Sequence, residues 1–134
     1  MKTVLTLLLI FFTASAQEYK EFAKEMGYET KYETALAKAK KEKKDLMVLM
    51  VTNYCPWCSK FEKKTLSDKK IDESIKAKYI PLIINKEEGG FPSYLNTPIV
   101  PTTYFIDTKE EKSYYERVGF VNKIEFLEAL KQIE

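Results

Sequence analysis

The chain has 134 residues, enough to bury one core and too few for a second domain. Its 22 lysines and arginines nearly balance 20 aspartates and glutamates, and the two signs are interleaved, so neither a nucleic-acid footprint nor a cationic membrane face is expected. With two cysteines and no histidine, the chain lacks the cysteine and histidine set from which zinc sites are ordinarily built.

Residues 1–3 give a short basic start, and residues 4–14 (VLTLLLIFFTA) an apolar core. Ala14, Ser15 and Ala16 then form the small-x-small pattern that a signal peptidase accepts. The apolar stretch falls short of the roughly 20 residues needed to span a bilayer, and no cysteine follows it for lipid attachment. Residues 1–16 are therefore expected to be a signal peptide. Residues 17–134 are expected to be one exported domain, periplasmic or otherwise secreted, with no stable membrane insertion after signal removal. In an oxidising compartment a lone cysteine pair stays disulfide-bonded unless a partner keeps reducing it.

Residues 17–30 are polar and mixed, with Gly27 and Tyr28 marking a turn before a short extended piece. Residues 31–44 place Tyr32, Ala35, Leu36 and Ala39 on one stripe, which predicts an amphipathic surface helix whose lysine-rich end complements the helix dipole. Residues 46–51 (LMVLMV) predict a strand buried on both faces, stopped by Thr52 and Asn53. From Pro56 onward, Phe61, Thr65 and Leu66 recur at helical spacing among Lys60, Glu62, Lys63 and Lys64. The segment Cys55-Pro56-Trp57-Cys58 therefore lies across a strand-to-helix junction, with Pro56 at the first helical position, where its missing N–H costs nothing.

That placement sets two sulfurs one helical turn apart at a helix start. The unpaired N–H groups there, with the helix dipole, favour an anion by roughly 0.3–1 kcal/mol. A thiolate is such an anion, which points to Cys55 as a nucleophile of lowered pKa and to Cys58 as the thiol that resolves the mixed disulfide. A purely structural disulfide this short would restrict the unfolded chain little. Haem attachment would need a histidine where Ser59 stands. Two thiolates holding Cu(I) remain an alternative.

Ser67 and Asp68 mark a break, after which Ile71, Ile75 and Tyr79 continue a helical stripe. Residues 80–84 (IPLII) predict a second strand, parallel to the first through a right-handed crossover, with Pro81 tolerated near its beginning. A long loop over residues 85–100 contains Gly89, Gly90, Pro92 and Pro98. Residues 103–107 (TYFID) and 113–118 predict an antiparallel hairpin about a charged turn. After Gly119, Asn122 and Glu125 form a capping-box start, with Val121 and Phe126 as a hydrophobic staple. The closing helix is expected to bury Phe126, Leu127, Leu130 and Ile133.

From about Asp45 to Lys131 these residues resemble the thioredoxin superfamily, and most of all its exported members in the bacterial envelope. The resemblance rests on LMVLMVTNYCPWC, on VPTTYFID with its proline 43 residues after Cys58, and on the closing VGFVNKIEFLEAL. It implies an α/β thioredoxin-like fold, with a central mixed sheet of four or five strands flanked by helices. Catalysis would lie with Cys55, which attacks a substrate disulfide, and Cys58, which releases it. Pro101 would be a cis-proline facing the disulfide, and Val100 would offer its backbone to an extended substrate by strand addition. Trp57 would border the docking surface, and Tyr54 would shield the motif or pack at its edge. No organic cofactor or metal is implied. The implied partners are protein disulfide substrates and a protein electron donor in the envelope.

Two departures from the family stand out. Thioredoxins proper carry a buried aspartate six residues before the first cysteine, where it helps take the proton from the resolving thiol; Leu49 stands there in this chain. No acceptor for that proton is evident in the sequence. The Pro-Trp dipeptide also lacks the imidazole of strongly oxidising members, so a weaker oxidant than those poised around −120 mV is expected. The expected function is reduction or isomerisation of protein disulfides in the cell envelope. Donation of disulfides to exported proteins, a non-catalytic binding module and a Cu(I) carrier are the alternatives.

Overall fold

A computed structural model of the chain describes residues 14–133. Most of the expected signal peptide, residues 1–13, lies outside the described residues.

The fold is built outward from strand β1 (Asp45–Val51), in which every side chain after the half-buried Asp45 is buried. It pairs in parallel with β2 (Tyr79–Asn85) and antiparallel with β3 (Thr102–Asp107), which in turn pairs antiparallel with β4 (Lys112–Val118). The sheet order is thus β2-β1-β3-β4. Successive β1 side chains alternate between two cores. Met47, Leu49 and Val51 face a cluster supplied by α1 (Ala14–Met26), α3 (Pro56–Phe61), α4 (Lys69–Lys78) and α5 (Lys123–Gln132). Leu46, Val48 and Met50 face one supplied by α2 (Tyr32–Glu42). An unbroken apolar run is what burial on both faces requires, because no alternate position can be polar. Outer strand β4 alternates between half-buried and exposed, which is why its sequence mixes tyrosine with charge.

The sequence marks only a turn and a short extended piece within residues 17–30. These residues contain most of helix α1, which buries Tyr19, Phe22 and Ala23 at helical spacing against the sheet. Gly27 ends the helix at φ +71°, and the Tyr28 N–H closes onto the Ala23 carbonyl at 2.8 Å, a glycine-based C-cap. The expected extended piece then touches the sheet through one residue. Glu29 donates to Pro81 O and accepts from Ile83 N, both at 2.9 Å. The sheet therefore has four strands. Pro81 fits because its carbonyl, and hence its missing N–H, faces this outer edge, where Glu29 alone among the described residues pairs.

Smaller differences have similar causes. Tyr79 begins β2 and does not end α4; it satisfies the helical stripe because it enters the same core, edge-on to Phe105 at 5.0 Å. In α5, Ala129 is buried with Phe126 and Leu130, whereas Leu127 and Ile133 are only partly buried. Asn122 caps α5 as expected, accepting from the Glu125 N–H at 3.0 Å. The helix that begins at Pro56 widens over Glu62–Leu66 into a π-helical turn before Asp68 starts α4.

Asp68 Oδ1 accepts from the N–H groups of Lys70 and Ile71 at 3.0 and 3.1 Å, and its other oxygen meets Lys123 Nζ at 3.2 Å. Asp68→Ala is expected to lower the unfolding free energy by about 1 kcal/mol through loss of the cap. Lys123→Ala, which removes only a surface ion pair, should cost less than about 0.5 kcal/mol. Urea unfolding midpoints of the two variants check the contrast, and equal losses would count against the cap as the source.

Candidate active site

The site grows from the end of β1. Residues 52–54 turn the chain, with Tyr54 in the left-handed region at φ +53° and its side chain 71% exposed. Asn53 ties this turn to the end of β2, accepting from Asn85 Nδ2 at 2.7 Å. Cys55 then takes the N-cap position with extended backbone, and Pro56 opens α3. The Cys58 N–H donates to Cys55 Sγ at 3.2 Å, so one of the free donors of the helix start is aimed at that sulfur. Cys55 and Cys58 are bonded to each other, with Cα atoms 5.2 Å apart. Cys55 is half-buried at the surface, while Cys58 is 3% exposed and lies in the core with Phe61.

A second loop is brought to the same end of the sheet. The Val100–Pro101 peptide is cis, as the resemblance implies. Its approach is set by hydroxyls: Thr102 Oγ1 donates to Ile99 O at 2.6 Å, and Thr97 Oγ1 accepts from Ile99 N at 3.2 Å. The Val100 N–H and carbonyl make no hydrogen bond among the described residues. Pro101 O accepts from the Gly119 N–H at 2.7 Å, and Gly119 sits at φ +86°, where any side chain would be strained. Phe120 follows, with ring centroids 5.9 Å from Trp57 and 6.1 Å from Phe61. Trp57, 57% exposed, joins Val100, Pro101, Gly119 and Phe120 around an open groove of about 430 Å³. The Lys60 ammonium lies 4.7 Å from the Trp57 ring and 5.0 Å from that of Phe120. Tyr54 extends into solvent beside the motif, so the side chain is placed at an edge.

A family model described as thioredoxin-like matches residues 28–108. The chain belongs to the thioredoxin-like family. A thioredoxin from Thermus thermophilus has a similar fold, with TM-score 0.68 and 23% identity over 79% of this chain and 85% of its own. A disulphide isomerase from Xylella fastidiosa Temecula1 superposes with TM-score 0.58 and 20% identity, over 75% and 86% of the two chains. The C-terminal domain of Neisseria meningitidis DsbD, in its oxidised form, does so with TM-score 0.57 and 17% identity, over 80% and 99%. At these identities the likeness is one of fold. No curated protein sequence matches the chain significantly. A thioredoxin-like domain whose paired cysteines stand at bonding distance carries a redox dithiol, the equipment of a thiol-disulfide oxidoreductase.

Within this thioredoxin-like domain the acid is in an unexpected place. Leu49 is fully buried among apolar neighbours. Glu62, one of the charged residues among which the stripe of this helix recurs, is 2% exposed. Burial pushes its carboxyl up to about 7, the charge of Glu18 adds to the rise, and Lys63 opposes it. Glu18 itself meets Lys63 at 2.9 Å, and hydrogen bonds to Lys63 and Ser59 hold its carboxyl below the usual range. Glu62 shares a helical stripe with Cys58, Phe61 and Thr65, at i, i+3, i+4 and i+7, and all four are buried, but a glutamate among lysines carries no local sign of it. Phe120 was the other omission from the predicted site, with no local pattern to mark it.

A carboxyl whose folded pKa is raised from 4.5 to about 7 keeps its proton in the native state where the unfolded chain has lost it. Stability therefore falls as pH rises between those values, and the penalty is complete above the upper one. Glu62→Gln should match the parent near pH 4 and exceed it near pH 8 by on the order of 2 kcal/mol. Urea unfolding of the oxidised proteins at the two pH values measures this. A gap independent of pH would assign the difference to packing.

Proposed function

We propose that this chain is an exported thiol-disulfide oxidoreductase that reduces or isomerises protein disulfides. The observation that carries the reading is the Cys55–Cys58 disulfide, with the outer sulfur at a helix start and the inner one buried behind it. In the reduced protein the Cys55 thiolate attacks one sulfur of a substrate disulfide. That bond breaks, one substrate thiol departs, and a mixed disulfide with Cys55 remains. Cys58 then attacks Cys55 Sγ, the second substrate thiol departs, and the Cys55–Cys58 bond re-forms. The two electrons come from the dithiol, so a protein donor must restore it between turnovers.

The groove of Trp57, Val100 and Pro101 is where an extended substrate segment docks, its backbone paired with the free N–H and carbonyl of Val100. A disulphide isomerase is among the proteins of similar fold, which supports protein disulfides as the substrate class. Residues 1–16 act as the export signal, and residues 17–134 form the working domain. Cleavage after Ala16 would leave the core-facing Tyr19, Phe22 and Ala23 of α1 in the mature chain. No described helix is long and apolar enough to cross a membrane, in keeping with a released domain.

Alkylation of the reduced protein across a pH series tests the nucleophile. Cys55 should react rapidly at neutral pH with an apparent pKa well below about 8.5, and Cys58 should lag far behind. Equal, slow reaction at both thiols rejects the reading. A Cys58→Ser variant expressed with its leader should accumulate envelope proteins as mixed disulfides on Cys55. A reduction potential near about −270 mV fits reduction of substrates, whereas one well above about −180 mV would reverse the direction to disulfide donation.

A further inference from the structure

The resolving step needs Cys58 as a thiolate, and a thiol buried to this degree exchanges its proton poorly with bulk water. Leu49 offers no acceptor. Glu62 stands four residues after Cys58, one turn further along the same buried stripe. Glu62 and both cysteines line a single cleft of about 280 Å³, which Glu18, Tyr19 and Ser59 share. Buried acids are ordinarily paired or hydrogen-bonded, because an uncompensated charge in the interior is costly. The Glu62 carboxylate has no hydrogen bond or ion pair among the described residues, and only the charge of the adjacent Lys63 favours its ionised form.

On the oxidoreductase reading above, we propose that Glu62 is the base that takes the proton from Cys58 when the mixed disulfide is resolved. The carboxylate removes the Cys58 S–H proton, and the resulting thiolate attacks Cys55 Sγ. The Cys55–Cys58 bond forms as the bond between Cys55 and the substrate sulfur breaks. The electron pair leaves on that substrate sulfur, and the proton on Glu62 passes to it or to water through the cleft. The dithiol is oxidised by two electrons and the substrate disulfide is reduced by two.

The surroundings suit the role. Glu18 on α1 and burial hold the carboxyl near neutrality, where it both accepts and releases a proton readily, while the adjacent Lys63 limits the rise. Tyr28, on the segment after α1, feels the charge of Glu62 and of Asp72 from α4; its own hydroxyl is held protonated by burial. The proton affinity of Glu62 is thus set jointly by its own turn and by α1.

Stopped-flow reaction of the reduced, full-length domain with 5,5′-dithiobis(2-nitrobenzoic acid) separates the steps. The first release of aryl thiolate reports attack by Cys55, and the second reports resolution by Cys58. In the parent protein the second phase should rise through an inflection near pH 7. In Glu62→Gln it should slow by on the order of 100-fold at neutral pH, and the inflection should move up toward the ordinary thiol range of about 8.5. The first phase should change only a few-fold, and Glu62→Asp should restore part of the second. Glu18→Gln should keep the inflection but shift it to lower pH, a response that a merely structural role for Glu62 would not produce. A second phase in Glu62→Gln with the parent rate and pH profile overturns the assignment. Absence of any first phase in the parent protein would instead overturn the oxidoreductase reading.

Discussion

The burial of β1 on both faces is the constraint on which the rest depends. Six consecutive apolar side chains enter two separate cores, and both edges of the strand are hydrogen-bonded to neighbours. Each such side chain contributes about 1.5–3 kcal/mol by leaving water, so the register of this strand cannot slip without exposing a whole face. Its end is consequently a fixed point. The turn at residues 52–54 and the helix start at Cys55 inherit that position, which is how a surface sulfur comes to be held against a rigid scaffold.

The opposite wall of the site is held by polar contacts within a long loop. Two threonine hydroxyls grip Ile99 from either side, and the Gly119 amide grips Pro101, so the Val100–Pro101 peptide is located by short hydrogen bonds and not by hydrophobic contact alone. Phe120 is placed by the same glycine turn and bridges the groove to the core through Phe61. The two walls belong to segments more than 40 residues apart, joined only because β1 and β3 are neighbours in the sheet.

The buried acid nearest the motif lies on the helix that carries the cysteines, and position 49 on the strand is apolar. Leucine at position 49 makes the strand wholly apolar and strengthens the core under the motif. The carboxylate then appears on the helix at Glu62, where it carries a desolvation penalty that only the nearby cation Lys63 relieves. Its place on the helix also brings it under the influence of α1, through Glu18. The first helix, most of which precedes the family's matched region at residues 28–108, therefore lines the same cleft as the dithiol.

Local chemistry was open to reading before any coordinates: the doubly buried strand, the proline-started helix carrying two cysteines, the Asn122 cap, and the charged hairpin. Each depends on neighbours within a few positions, so periodicity and turn chemistry suffice. The role of Pro101 came through family likeness, since nothing around it in the chain marks a cis peptide. What the sequence alone could not decide was which charged side chain goes inside. Glu62 has the same neighbours in sequence as its solvated companions Lys60, Lys63 and Lys64, and only the packing of its helix against distant segments separates it from them. Burial is a property of surfaces brought together from distant segments, and so the strand, the motif and the caps belong to the sequence, while the acid beside the disulfide and the aromatic wall of the groove belong to the tertiary structure.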